Sequence, residues 1–164
     1  MASYDVDEDQ HTGYDGTSGH PEDEELRNKL DQMNPQRFQR DNFLNAISQI
    51  ESSGGKNINH PISNAPLQAG QQAIGQYGLM PNTVQEMANR TRGPASVTPN
   101  SPEEQQVANQ LATHVLNKFQ DPRMAAYAWH SGHNLTPDQI RERDYMNDPY
   151  VQKFGKIWKS LGNK

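Results

Sequence analysis

Glu51 closes an amphipathic stretch, Phe43-Leu44-Asn45-Ala46-Ile47-Ser48-Gln49-Ile50-Glu51, and is followed at once by Ser52-Ser53-Gly54-Gly55. Leu44, Ile47 and Glu51 fall at i, i+3 and i+7, so the spacing predicts a carboxylate on the apolar face of a helix. Burial disfavours the charged carboxylate, and the negative end of the helix dipole lies close by. Both effects push the pKa upward. A Glu that keeps its proton toward neutral pH can hand it to a leaving oxygen, which is what glycoside cleavage demands. The same residues also fit a terminal Glu turned out to solvent, with Gly54-Gly55 as the C-terminal cap.

Little else in the chain competes for chemistry. No Asp or Glu lies between Glu51 and Glu86, so a second carboxylate near Glu51 would have to be Asp41, Glu86 or Asp121. Cysteine is absent, which excludes disulfides and thiolate metal sites. Of the six histidines, His130 and His133 stand three apart and could share a helical face, but no other spacing suggests a metal, and no cofactor is implied.

Two later segments extend the pattern. Ala73-Ile74-Gly75-Gln76-Tyr77-Gly78-Leu79-Met80-Pro81-Asn82-Thr83 resembles the Ala-Met-Gly-Leu-Met-Gln-Leu-Met-Pro-x-Thr signature of the soluble lytic transglycosylases, a family related to the goose-type lysozymes. Ala125-Ala126-Tyr127-Ala128-Trp129-His130-Ser131-Gly132 resembles the family's later Ala-Ala-Tyr-Asn-Ala-Gly segment, and Glu51-Ser52 matches its Glu-Ser motif at a helix end. The three follow one another in the family's order, from Phe43 to Asn134. The chain departs from the pattern at Gly78, where the family usually carries Gln, and at Trp129-His130, where it carries Tyr-Asn.

The resemblance implies a mainly α lysozyme-like domain that cleaves peptidoglycan glycan strands, with Glu51 as the catalytic acid and base. It places Ser52 or Ser53 beside Glu51 to tune it. Gln76 or Tyr77 would replace the polar contact missing at Gly78. Tyr77, Met80, Trp129 and His130 would line the substrate groove. A hydrolytic muramidase of the same fold, and a non-catalytic structural or adaptor protein of a phage particle, are the alternatives that the same motifs leave open.

These residues must be held by helices. Ser101-Pro102-Glu103-Glu104 reads as a capping box with Pro at the first helical position, and Val107, Leu111, Val115 and Phe119 then recur every four residues. Asp121-Pro122, Thr136-Pro137-Asp138-Gln139 and Asp148-Pro149 repeat the start signal. The last precedes Val151, Phe154, Ile157, Trp158 and Leu161 at helical intervals. Thr83-Val84-Gln85-Glu86 marks a further start. The polar loop after Gly55 has room for a small β-hairpin.

Composition divides the chain. Residues 1–34 hold ten acidic and two basic side chains with almost no aliphatic residue, a composition that cannot offset the entropy of ordering. They read as an acidic tail, disordered or ordered by a partner such as another virion protein. Residues 35–164 carry 13 basic and 10 acidic side chains, a formal charge of about +3 that suits an anionic polymer only mildly. Nothing points to nucleic acid. No apolar run reaches the length of a signal-peptide core or a membrane span. For a wall-cutting enzyme, that absence leads to the expectation of a phage virion, or of delivery to the bacterial periplasm and cell wall by another route.

Overall fold

The computed structural model describes residues 35–63 and 70–163, together with Glu25, Leu26 and Lys29. The chain divides into two units, residues 1–35 and 36–164. In the first, Glu25, Leu26 and Lys29 are helical, as is Pro35 at its end, and Lys29 lies 3.2 Å from Glu25 one turn earlier. The remainder of the expected acidic tail lies outside the described residues.

The second unit is mainly helical. Its elements are α1 (Pro35–Ser52), α2 (Pro81–Thr91), α3 (Pro102–Phe119), α4 (Pro122–Ser131), the short α5 (Pro137–Arg141) and α6 (Pro149–Ser160), with a 3-10 turn at Tyr145–Asn147 before α6. Each helix opens on a proline, whose fixed φ and missing N–H suit the first turn. The side chains of Ser101, Asp121, Thr136 and Asp148 then accept backbone N–H bonds at the starts of α3 to α6. At α2 the start is Pro81 after Met80, not Thr83: proline sets the first turn without any side-chain cap.

The hairpin expected after Gly55 is not formed as paired strands among the described residues. Two isolated antiparallel bridges stand there instead, Ile62 with Gln72 and Ile74 with Leu79. A segment as polar as Asn57–Gln71 offers few β-branched or aromatic side chains to stabilise a longer ladder. Among the described residues, no helix is long and apolar enough to cross a membrane.

Phe43 organises the core around the site. It is fully buried, and its ring centroid lies 5.8 Å from that of Trp129 on α4 and 5.4 Å from that of Phe154 on α6. Phe154 in turn stacks on Trp158. Three helices thus meet on one ring, and removing such a ring typically costs about 3–5 kcal/mol. The predicted stripe of α3 is buried throughout, as are Val151, Phe154 and Trp158 on α6. This packing brings the end of α1, the end of α4 and the start of α6 together.

Candidate active site

Those three helix ends supply one cluster. Glu51, in the last turn of α1, is partly buried, and the Tyr150 hydroxyl from the first turn of α6 donates to its Oε1 at 2.8 Å. His130, near the end of α4, is exposed and stacks on the Tyr150 ring at 4.3 Å with the planes 10° apart. On its other side, Glu51 meets the backbone of Gly78. A Cβ at that position, where φ is +63°, would fall 2.5 Å from Glu51 Oε2. Only a glycine fits a left-handed conformation against a carboxylate this close.

The electrostatics follow from the packing. Burial lifts the Glu51 carboxyl above its ordinary range. The hydrogen bond from Tyr150 and the nearby His130 and His60 rings pull the other way without cancelling the rise. Tyr150 is pushed well above the usual phenol value, first by its own burial and then by the Glu51 charge and their hydrogen bond. It therefore remains a phenol, a donor to Glu51 at every physiological pH. The result is a carboxyl whose pKa is raised by burial and whose position is fixed by a neutral hydroxyl.

Gly78 belongs to a four-residue turn, 75–78, closed by the paired Ile74 and Leu79 backbones, with N–H to carbonyl distances of 2.7 and 3.1 Å. Gly75 and Gly78 both have positive φ, which turns the chain sharply at each end. Three of its carbonyls are held by side chains. His60 Nε2 contacts the Gly75 carbonyl at 2.6 Å, the Ser52 hydroxyl donates to the Gln76 carbonyl at 2.7 Å, and Trp129 Nε1 donates to the Tyr77 carbonyl at 3.2 Å. Beneath the turn, Glu104 accepts from the Gln76 and Tyr77 N–H groups at 2.7 and 3.4 Å.

The residues singled out in the sequence fall in different places around this turn. Ser52 is 2% exposed, and besides the Gln76 carbonyl it accepts the Gly55 N–H at 2.8 Å. It holds the turn to the helix end from beneath the surface. Ser53 is exposed with φ +52°. Gln76 and Tyr77 line, with Asp41, Asn45, Ser48 and Gln105, an open cavity of about 350 Å³. Its Tyr77 hydroxyl donates to Gln105 at 2.8 Å, and Ser48 donates to Gln76 at 3.3 Å. Glu51 does not line this cavity, although Ser48 and Gly54 on either side of it do. Met80 is the partly buried N-cap of α2, and Trp129 is partly buried with its N–H directed inward to Tyr77.

The other carboxylates have different partners. Glu86 accepts from Asn134 and Arg90, and meets His133 Nε2 at 2.9 Å. Asp121 caps α4 and accepts the Tyr145 hydroxyl at 2.9 Å. Asp41 is exposed beside Arg37 and Arg40, at the rim of the cavity. His130 and His133 part company, one against Tyr150 and the other against Glu86, and among the described residues no three His, Asp or Glu side chains are grouped as a metal site would need.

Neither the Tyr150 contact with Glu51 nor the reach of the Glu104 side chain is evident from sequence spacing. Tyr150 continues the Phe154, Ile157, Leu161 stripe of α6 backwards by one turn, a signal the sequence does hold. Glu104 reads as the far half of a capping box. Its backbone N–H does bond Ser101, but its side chain leaves the box and reaches the turn. Compared with known proteins, the chain matches no family model, no curated protein and no solved structure.

Proposed function

We propose that this chain is a peptidoglycan lytic transglycosylase with a lysozyme-like domain, cleaving the β-1,4 bond between N-acetylmuramic acid and N-acetylglucosamine. The observation that carries the reading is the Glu51 carboxyl: partly buried, raised above its ordinary pKa, hydrogen-bonded by the Tyr150 phenol and pressed on the bare backbone of Gly78. A carboxyl in that state is a general acid.

The protonated Glu51 gives its proton to the glycosidic oxygen, which leaves on the N-acetylglucosamine side as a hydroxyl. The muramyl C1 is stabilised by its own N-acetyl group, so one protein carboxylate suffices. The Glu51 carboxylate then takes the proton from the C6 hydroxyl of the same residue, whose oxygen bonds to C1. A 1,6-anhydro sugar forms, and Glu51 is protonated again without any water being consumed. Tyr150 supports both steps, because its hydroxyl stabilises the carboxylate in the interval between them.

The placement of the remaining acids supports this route over hydrolysis. A hydrolase needs a second carboxylate about 6.5–9.5 Å away if inverting, or about 5 Å if retaining. Glu86 and Asp121 are engaged elsewhere, which leaves Asp41 at the cavity rim. Mass spectrometry of muropeptides released from purified peptidoglycan tests the reading. Anhydro-ended products from wild type and none from Glu51→Gln are expected. Reducing ends without anhydro sugar would establish hydrolysis, and no release by either protein would favour a non-catalytic particle component.

A further inference from the structure

Glu104 is the most deeply buried carboxylate among the described residues, at 1% exposure, and it makes no ion pair there. An acid placed so is costly unless its oxygens are fully hydrogen-bonded. Both oxygens accept hydrogen bonds, from backbone N–H groups. Oε1 accepts from the Gln76 and Tyr77 N–H groups, and Oε2 accepts from the Asn100 N–H at 2.5 Å. Glu104 therefore ties the 75–78 turn to the loop that leads into α3.

The turn lies between two carboxyls. At one end Gly75 is pressed so tightly on Glu104 that an added Cβ would overlap the carboxylate; at the other Gly78 is pressed on Glu51. A rigid four-residue turn with a glycine against each acid transmits position from one to the other. We propose that Glu104 is a positioning residue for Glu51: it fixes the turn, and the turn fixes the carboxyl that delivers the proton. This rests on the transglycosylase reading for its consequence in catalysis, but not for its structural content.

Glu104→Gln tests it. An amide offers one acceptor oxygen and one NH2 where the carboxylate offers two acceptors, so the NH2 must face a backbone N–H on one of the two loops. The turn loosens, water reaches Glu51, and its titration moves down toward the ordinary carboxylate value. The groups that face Glu51 directly, Tyr150, His130, His60 and the Gly78 backbone, are untouched in sequence. The expected result is a kcat reduced about tenfold or more with KM within about twofold, an alkaline limb of the pH profile moved to lower pH, and a matching move of the Glu51 carboxyl signal in an NMR titration.

Glu104→Asp keeps the charge but shortens the reach, and gives the same two readouts if the amide variant does not fold. Glu86→Gln, which removes a carboxylate elsewhere, leaves the Glu51 titration unchanged. A folded Glu104 variant with wild-type kcat and a wild-type Glu51 titration overturns the proposal. The NMR readout needs no turnover, so a wild-type protein that cleaves no glycan would refute the activity while still deciding the role of Glu104.

Discussion

Glu51 ends α1 facing a phenol, an imidazole stacked behind that phenol and the bare backbone of Gly78, whereas Glu86 lies within α2 facing His133, Asn134 and Arg90. Burial pushes both carboxyls upward. At Glu86, the Asn134 hydrogen bond, the His133 contact and the Arg90 charge more than reverse the push, and the group is held below its ordinary range. At Glu51 the Tyr150 hydrogen bond and the nearby His130 and His60 rings leave the rise in place. Two things separate the carboxyls: Glu51 is the more deeply buried, and Glu86 has more groups around it that favour its ionised form, the Asn134 hydrogen bond first among them.

The His133 side of the second cluster repeats the lesson. Burial lowers the His133 pKa more than Glu86 raises it, so the 2.9 Å contact joins an ionised carboxylate to an imidazole pushed toward neutrality. His114, edge-on to His133 at 6.0 Å, is lowered first by burial and then by Arg90, and its Nε2 is buried without a partner. The cluster carries its charge on Glu86, Arg90 and Lys118, whose Nζ donates to the His133 carbonyl at 2.9 Å.

The comparison breaks most visibly at Glu51 itself. Glu51→Gln removes the transferable proton and should lower glycan cleavage by about 10²–10⁴-fold. Because a raised carboxyl pKa means that ionisation opposes folding above the unfolded value near 4.3, roughly, the variant should melt no lower than wild type at neutral pH. Zymography with a thermal melt checks both halves. Next in size is Gly78→Ala, whose Cβ would displace the Glu51 carboxyl. A shift of about 1 Å can remove about 10²-fold in rate, against only about 1–2 kcal/mol of backbone strain in stability.

Glu86→Gln should do the reverse: a loss of about 1 kcal/mol in stability, modest because solvent screens the cluster, with the pH profile of cleavage unchanged. The same cluster gives stability a pH dependence. The unfolded imidazoles take up protons near pH 6.5, roughly, while folded His114 and His133 resist, so stability declines as pH falls below that value. Glu86, lowered in the fold, adds a second loss as pH falls through its unfolded value near 4.3, roughly. Denaturant melts across pH 4 to 8 read both. The smallest effect sharpens the comparison: Tyr150→Phe deletes the hydrogen bond that holds Glu51 down, so the alkaline limb of activity should move to higher pH.

The helices were legible because proline and a capping side chain mark most of their starts, and because Val107, Leu111, Val115 and Phe119 recur at the helical period. The place of Glu51 on the apolar stripe was legible from the same period. What sequence spacing does not carry is contact across the chain. Tyr150 is 99 residues from Glu51 and meets it only because Phe43 draws α1 and α6 together. Glu104 satisfied a local rule as a capping residue, which hid that its side chain serves a loop 28 residues earlier. Gln76 and Tyr77 illustrate the limit within a turn: neighbours of Gly78 in sequence, they line a cavity that Glu51 does not.

A site-resolved NMR titration that follows the Glu51 and Glu86 carboxyl carbons in one sample tests the central claim most directly. Glu51 is expected to titrate above the ordinary glutamate value of about 4.3 and Glu86 below it. A Glu51 that titrates at or below that value, or below Glu86, would contradict it.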